Sequence, residues 1–156
     1  MTTYIARPVE APVLNELRHV DDSGRRTFPF TDEEGGAPLR CCLRRSRPGE
    51  RIALVAYAPL RRWAAATGVD PAAYDEQGPV FVHAGECAGF EGGSLPFTQA
   101  RRVLRHYSAD GRILGGLLVE TGFEDALRKA FDDPAVALVH VRAVEYGCFL
   151  YEVRRP

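Results

Sequence analysis

Lysine is almost missing from this 156-residue chain: of its 20 basic residues only Lys129 is a lysine, and the rest are arginines. Codon bias in a GC-rich genome accounts for the total, so only individually placed arginines carry meaning, through a planar fork that suits carboxylates and phosphates. An excess of positive charge is also missing. The net charge of −1 and pI of about 6.4 argue against nucleic acid as a partner. No run approaches the ~20 apolar residues that span a bilayer, so no membrane is expected. The opening MTTYIARPVEAP has no basic segment followed by an apolar one, which speaks against a signal peptide. Cysteines are few and irregular (Cys41, Cys42, Cys87 and Cys148), so a disulfide framework is excluded and reduced thiols in the cytoplasm are expected. Phosphate-cradling loops and GxSxG or HExxH motifs are absent, which argues against nucleotide hydrolysis and common hydrolase chemistry.

What is present reads as one domain over 1–156, with a polar, Gly- and Pro-rich loop at 21–38. YIARPV predicts a short strand, and APVLNELRHV a helix with Val13, Leu14 and Leu17 on one face. Further strands are predicted at 39–44 (LRCCLR), 51–59 and 79–85, with a helical turn at LRRWAAA between the last two. Two hairpins close the chain around the tips ADG and EYG, each with glycine third, as in a three-residue turn. Between them FEDALRKAF (123–131) carries an apolar stripe, and Thr121 with Glu124 matches a capping box. The fold class expected is α+β: a mainly antiparallel curved sheet of hairpins with one main helix, 123–131, packed on it.

Strand parity then sorts the last hairpin. Closing it with three residues sets Val144 opposite Cys148 and keeps odd opposite odd, so that Val139, Val141, Phe149, Tyr151 and Val153 make one apolar face. The reverse face then carries His140, Arg142, Cys148 and Glu152, with Arg142 and Glu152 as a cross-strand pair. In GPVFVHAGEC, His83 is the last side chain of a strand and Cys87 follows in a loop, a place from which functional groups are commonly delivered.

Three chemistries compete. His83, Cys87, His140 and Cys148 are a set of zinc-type donors, but their spacing matches no knuckle; zinc is the weaker reading, and no cofactor is expected. A cysteine nucleophile with a histidine base would use Cys148 with His140, or Cys87 with His83. Cys41 and Cys42, read as strand residues, alternate faces, so at most one enters the core. The third reading is a pocket for a small polar or anionic molecule lined by Arg40, His83, His140, Arg142 and Cys148. There His83, His140 and Cys148 are the catalytic candidates, and Arg40, Arg142, Tyr57 and Arg105 the ligand contacts. Gly115 and Gly116 leave a bare patch opposite Arg105. The alternative is a non-catalytic interaction or assembly module whose mixed sheet face packs on a partner, including a second copy as a homodimer.

The blocks LRCCLRRSRPGERIALVAY, YDEQGPVFVHA, DGRI and FDDPAVALVHVRAVEYGCFLYEVRR, in that order, resemble the bacterial family known as domain of unknown function 1203 over residues 38–155. Its members are similar to one another around Arg40, Gly49, Glu50, Tyr57, Gly78, Pro79, His140 and Cys148. The pair at 41–42 departs from that family's usual residues, and some relatives carry a further cysteine near Tyr151; both departures weigh against zinc. The resemblance implies no activity.

Overall fold

The computed structural model describes residues 3–156. It contains helices α1 (Ala11–Leu17), α2 (Pro59–Thr67) and α3 (Phe123–Asp132), and a 3-10 turn at Ala72–Tyr74. Its strands are β1 (Phe30–Asp32), β2 (Glu50–Tyr57), β3 (Gly78–His83), β4 (Arg102–Ser108), β5 (Ile113–Val119), β6 (Val136–Ala143) and β7 (Phe149–Arg154). All strand pairs are antiparallel, as the expected α+β class requires. The strands divide between two sheets, ordered β1-β2-β3 and β5-β4-β6-β7. Among the described residues no helix is long and apolar enough to cross a membrane.

The strongest apolar periodicity becomes the helix that seals one core. Phe123, Ala126, Leu127, Ala130 and Phe131 of α3 are buried against Val139, Val141 and Val153. Glu124 and Asp125 lie in the first turn and Lys129 in the last, each sign matching the helix dipole. The capping box does not form. Gly122, left-handed at φ 70°, precedes the helix, and no side chain caps it. On the reverse of the four-stranded sheet, Leu60, Trp63 and Ala64 of α2 cover Tyr107 and Leu138. Pro59 opens α2 and Gly68 at φ 74° closes it, the asymmetry that each residue's backbone freedom dictates. The third core joins α1, through Leu14 and Leu17, to Ile52, Val55, Val80 and Val82 of the three-stranded sheet.

Four further expectations change. The predicted N-terminal strand contributes only an isolated bridge, Arg7 to Glu152. Within the expected loop 21–38, Phe30–Asp32 form β1 and pair with β2. Residues 39–44 are not a strand but a closed turn. Its ends meet through Leu43 N to Leu39 O (3.0 Å) and Leu39 N to Arg44 O (2.9 Å), with Leu43 left-handed at φ 57°. Alternating apolar residues satisfied the strand template, while the backbone bonded to itself instead.

The fourth change is the last hairpin. The ADG turn closes as expected, Ser108 N to Arg112 O with Gly111 at φ 77°. The second tip holds four residues, because Ala143 N bonds Cys148 O, and Val144 does not face Cys148. Arg142 pairs with Phe149, then a bulge restores the expected register at Val141–Tyr151, His140–Glu152 and Val139–Val153. Phe149 is thereby turned away from Val139: Val139 lies in the α3 core, and Phe149 packs on Tyr57 and His140. Leu150 and Tyr151 both enter the α3 core. One extra residue in the strand reverses the face of everything between the bulge and the turn.

Candidate functional site

The 38–45 turn determines where the thiols go. In a strand, neighbouring side chains oppose each other; in this turn Cys41 and Cys42 both point inward, 3 % and 8 % exposed. The expectation that only one of them is buried is therefore corrected. They meet His83 at the end of β3 and Cys87 in the loop beyond it, and the donor atoms of all four lie within 4.8 Å of one another. Cys41 Sγ and Cys42 Sγ are 3.5 and 3.8 Å from His83 Nδ1, and 4.0 Å from each other. A zinc ion with bonds of about 2.3 Å to sulfur and 2.0–2.1 Å to nitrogen sets tetrahedral edges of roughly 3.5–3.8 Å. Three of the measured separations already approach those lengths.

The imidazole is held from behind. His83 Nε2 lies 2.8 Å from Glu50 Oε2, at the start of β2, and 3.4 Å from Arg44 Nη2. The shorter contact decides the tautomer: Nε2–H donates to the carboxylate, and the Nδ1 lone pair faces the thiols. Glu50 in turn accepts two parallel bonds from Arg44, each 2.9 Å, and a third from Arg47 N at 2.6 Å. Arg44 and the Arg47 amide, aided by His83 and against partial burial, hold the Glu50 carboxyl far below the usual carboxylate range. It is a fixed anion.

The thiols are unequal. The Cys41 S–H donates to Cys42, which with burial raises Cys41 well above an ordinary thiol. The same bond pulls Cys42 down to about 6 against the effect of burial, helped by the Arg44 backbone N–H, His83 and Cys87. The His83 backbone N–H donates to Cys41 Sγ at 3.2 Å, a contact that stabilises charge on sulfur. The cluster opens through Cys42, His83 and Cys87 onto a hollow of about 460 Å³. Three sulfurs and one nitrogen are the donors that borderline and soft metal ions prefer over oxygen-seeking ones.

The other expected site residues lie elsewhere. His140 is 1 % exposed, with Nε2 2.9 Å from Glu152 Oε1 and its ring between Tyr107 and Phe149. The Arg142–Glu152 pair does not form. Glu152 binds His140 and Arg154, while Arg142 donates to Gly147 O at 2.8 Å and approaches Glu76 at 3.7 Å. Arg105 sits opposite Gly116 as expected, but its guanidinium bonds Glu76 (2.9 Å) and reaches the Tyr107 hydroxyl (3.4 Å). Tyr57, His140 and Arg142 border a recess of about 20 Å³, room for little more than one water. Cys148 and Arg40 line a separate groove. The single pocket of Arg40, His83, His140, Arg142 and Cys148 is thus divided among three concavities, and the zinc quartet loses His140 and Cys148 and gains Cys41 and Cys42. The four-residue step from His83 to Cys87 was the one visible signal. The strand reading of 39–44 hid the other half.

Fold and cluster together define an antiparallel α+β domain with a cysteine–histidine centre on the first of its two sheets. The chain belongs to the family DUF1203, described as a protein of unknown function, whose model matches residues 36–155. No curated protein and no solved structure matches the chain.

Proposed function

We propose that this is a metal-binding domain whose centre takes a single zinc ion through Cys41, Cys42, Cys87 and His83 Nδ1. The observation that carries the reading is the convergence of four zinc-type donors within 4.8 Å, with the histidine's far nitrogen already bound to a carboxylate. Ligating histidines almost always have such a partner, because it fixes both ring orientation and tautomer. Four protein ligands fill a tetrahedron and leave no position for water, so the role is to hold metal and brace the 38–45 turn against β3, without metal-centred hydrolysis. Three thiols that must stay reduced suit a reducing compartment such as the cytoplasm.

The test is metal analysis of protein purified under reductant, followed by cobalt substitution. We expect one metal per chain and tetrahedral bands with thiolate-to-cobalt charge transfer, lost in Cys41→Ser and Cys87→Ser. A folded, reduced chain that takes up neither zinc nor cobalt overturns the reading.

A small-anion function survives only in narrower form. Of the five residues expected to share a pocket, Arg40 and Cys148 still share one large enough for a ligand, while His140 and Arg142 share only the small recess.

A further inference from the structure

A concavity larger than the hollow at the cysteines lies elsewhere. It is a groove of about 530 Å³ between the 38–45 turn, β3 and the tip of the last hairpin, within the range of small-molecule sites. Leu54, Phe81, Phe97, Tyr146 and Leu150 make its walls largely hydrocarbon. Leu54 is 52 % exposed there, an apolar side chain without a covering layer.

Against those walls stand two buried guanidinium groups. Arg40 is 3 % exposed and Arg102 5 %. Arg40 spends Nε on Phe149 O (2.7 Å) and Nη1 on Pro38 O; Arg102 spends Nε on Phe97 O (2.7 Å) and Nη1 on Arg101 O (3.2 Å). Every one of these acceptors is a backbone carbonyl. Among the described residues Arg40 forms no ion pair, and Arg102 has only the half-exposed Glu145 carboxylate at 3.7 Å, beyond hydrogen-bond length. Arg45 lines the same groove, adding a third positive charge that repels the other two. A charge taken out of water without a counter-ion is costly, and neutral carbonyls only partly offset the loss. Burial, aided by Arg45 and opposed by Cys148, pushes Arg40 down to about 10. Positive charge is in excess, and the walls are apolar.

We propose that this groove binds a monocarboxylate with an apolar tail, of the fatty-acid kind. Its carboxylate pairs with the free Nη2 edge of Arg40, the arginine with no ion pair, and its chain lies along Leu54, Phe81 and Leu150. The approach of Glu145 to Arg102 shows that the site already admits a carboxylate from the solvent side. Guanidinium groups recognise such an anion by parallel, charge-assisted hydrogen bonds. The groove shares the 38–45 turn with the cysteine cluster but none of its four donor residues, and Cys148 on its wall is a built-in reporter.

The experiment uses the full chain with decanoate as probe, and decanol, decyltrimethylammonium and acetate as controls. By calorimetry we expect decanoate to bind one per chain, at least tenfold tighter than each control. Bound decanoate should also slow alkylation of Cys148, read by mass spectrometry, and leave Cys87 unchanged. Leu54→Asp and Arg45→Ala, at exposed positions that should spare the fold, should each weaken decanoate at least fivefold. Decanol binding as well as decanoate, or decanoate giving no saturable binding, overturns the proposal. So does a dimer in sedimentation that Leu54→Asp dissociates, because the groove is then covered by a second copy.

Discussion

Glu50 Oε2 lies 2.8 Å from Nε2 of His83, and the same carboxylate is gripped by both arms of Arg44 at 2.9 Å. The imidazole is therefore oriented from the side opposite the thiols, by an anion that is itself fixed. Removing that orientation should cost metal affinity. Glu50→Gln keeps the shape but loses the charge, and zinc affinity should fall about 10–100-fold, the range seen when a metal ligand's supporting partner is lost. Chelator competition measures it. Equal affinity in variant and parent would assign Glu50 to Arg44 alone.

Chelation should destabilise the fold. Metal that binds only the native chain adds about 2.7 kcal/mol at free concentrations 100 times its dissociation constant. We expect the melting temperature to fall when chelator is added under reductant and to recover on adding zinc. Cys87 lies half-buried in a loop, so Cys87→Ser should leave the metal-free melting temperature nearly unchanged while abolishing the response to zinc. A chelator-insensitive parent would contradict this.

The bulge determines which core Phe149 enters, and its ring packs 5.6 Å from that of Tyr57 and 4.9 Å from that of His140. Phe149→Ala should destabilise by roughly 3–5 kcal/mol, the usual cost of emptying an aromatic site. Tyr146, 92 % exposed at the adjoining hairpin tip, should tolerate alanine within about 0.5 kcal/mol. Urea unfolding of the two variants checks the packing, since a Phe149 that did not fill this site would make them alike.

Acid should weaken the protein through carboxylates held below their usual range, among them Glu50, Glu152 and Asp21. Burial pushes Glu152 up, but the hydrogen bond and charge of His140 and the contact with Arg154 outweigh it, and the net shift is down. For Asp21 partial burial is likewise outweighed, by the Ser23 hydroxyl and the N–H groups of Ala56, Arg25 and Ser23. A carboxyl whose folded value is depressed contributes its full stability above its unfolded value, near 4, and loses it as pH falls through the folded value. The carboxylates' share of the unfolding free energy should therefore be flat from neutral pH to about 5 and decline below about 4. Removing Asp21 (Asp21→Asn) should shrink the decline.

Much of the architecture was legible because periodicity reports burial directly. The α3 stripe, the hairpin at Gly111 and the strands at 50–57 and 78–83 follow from local pattern. The site was only half legible. Parity assigns faces only while a segment is a strand without bulges, and both conditions failed where they mattered. Cys41 and Cys42 lie in a turn, and the register slips between Val141 and Arg142. A turn closed by Leu43 in the left-handed region has no composition signal, since leucine rarely adopts it. The two buried arginines of the groove were visible as residues, but that Arg40 lacks a carboxylate and Arg102 has only a distant one is a property of tertiary contacts alone.

The loop from Pro38 to Arg45 has two employers. Cys41 and Cys42 face the histidine, while Pro38, Arg40 and Arg45 wall the apolar groove. An ion that clamps this segment would remove part of the ordering cost of the neighbouring cavity, so filling either vessel would tighten the other by the same factor. Eight residues would then let the chain report metal supply in the affinity of a second, chemically unrelated guest.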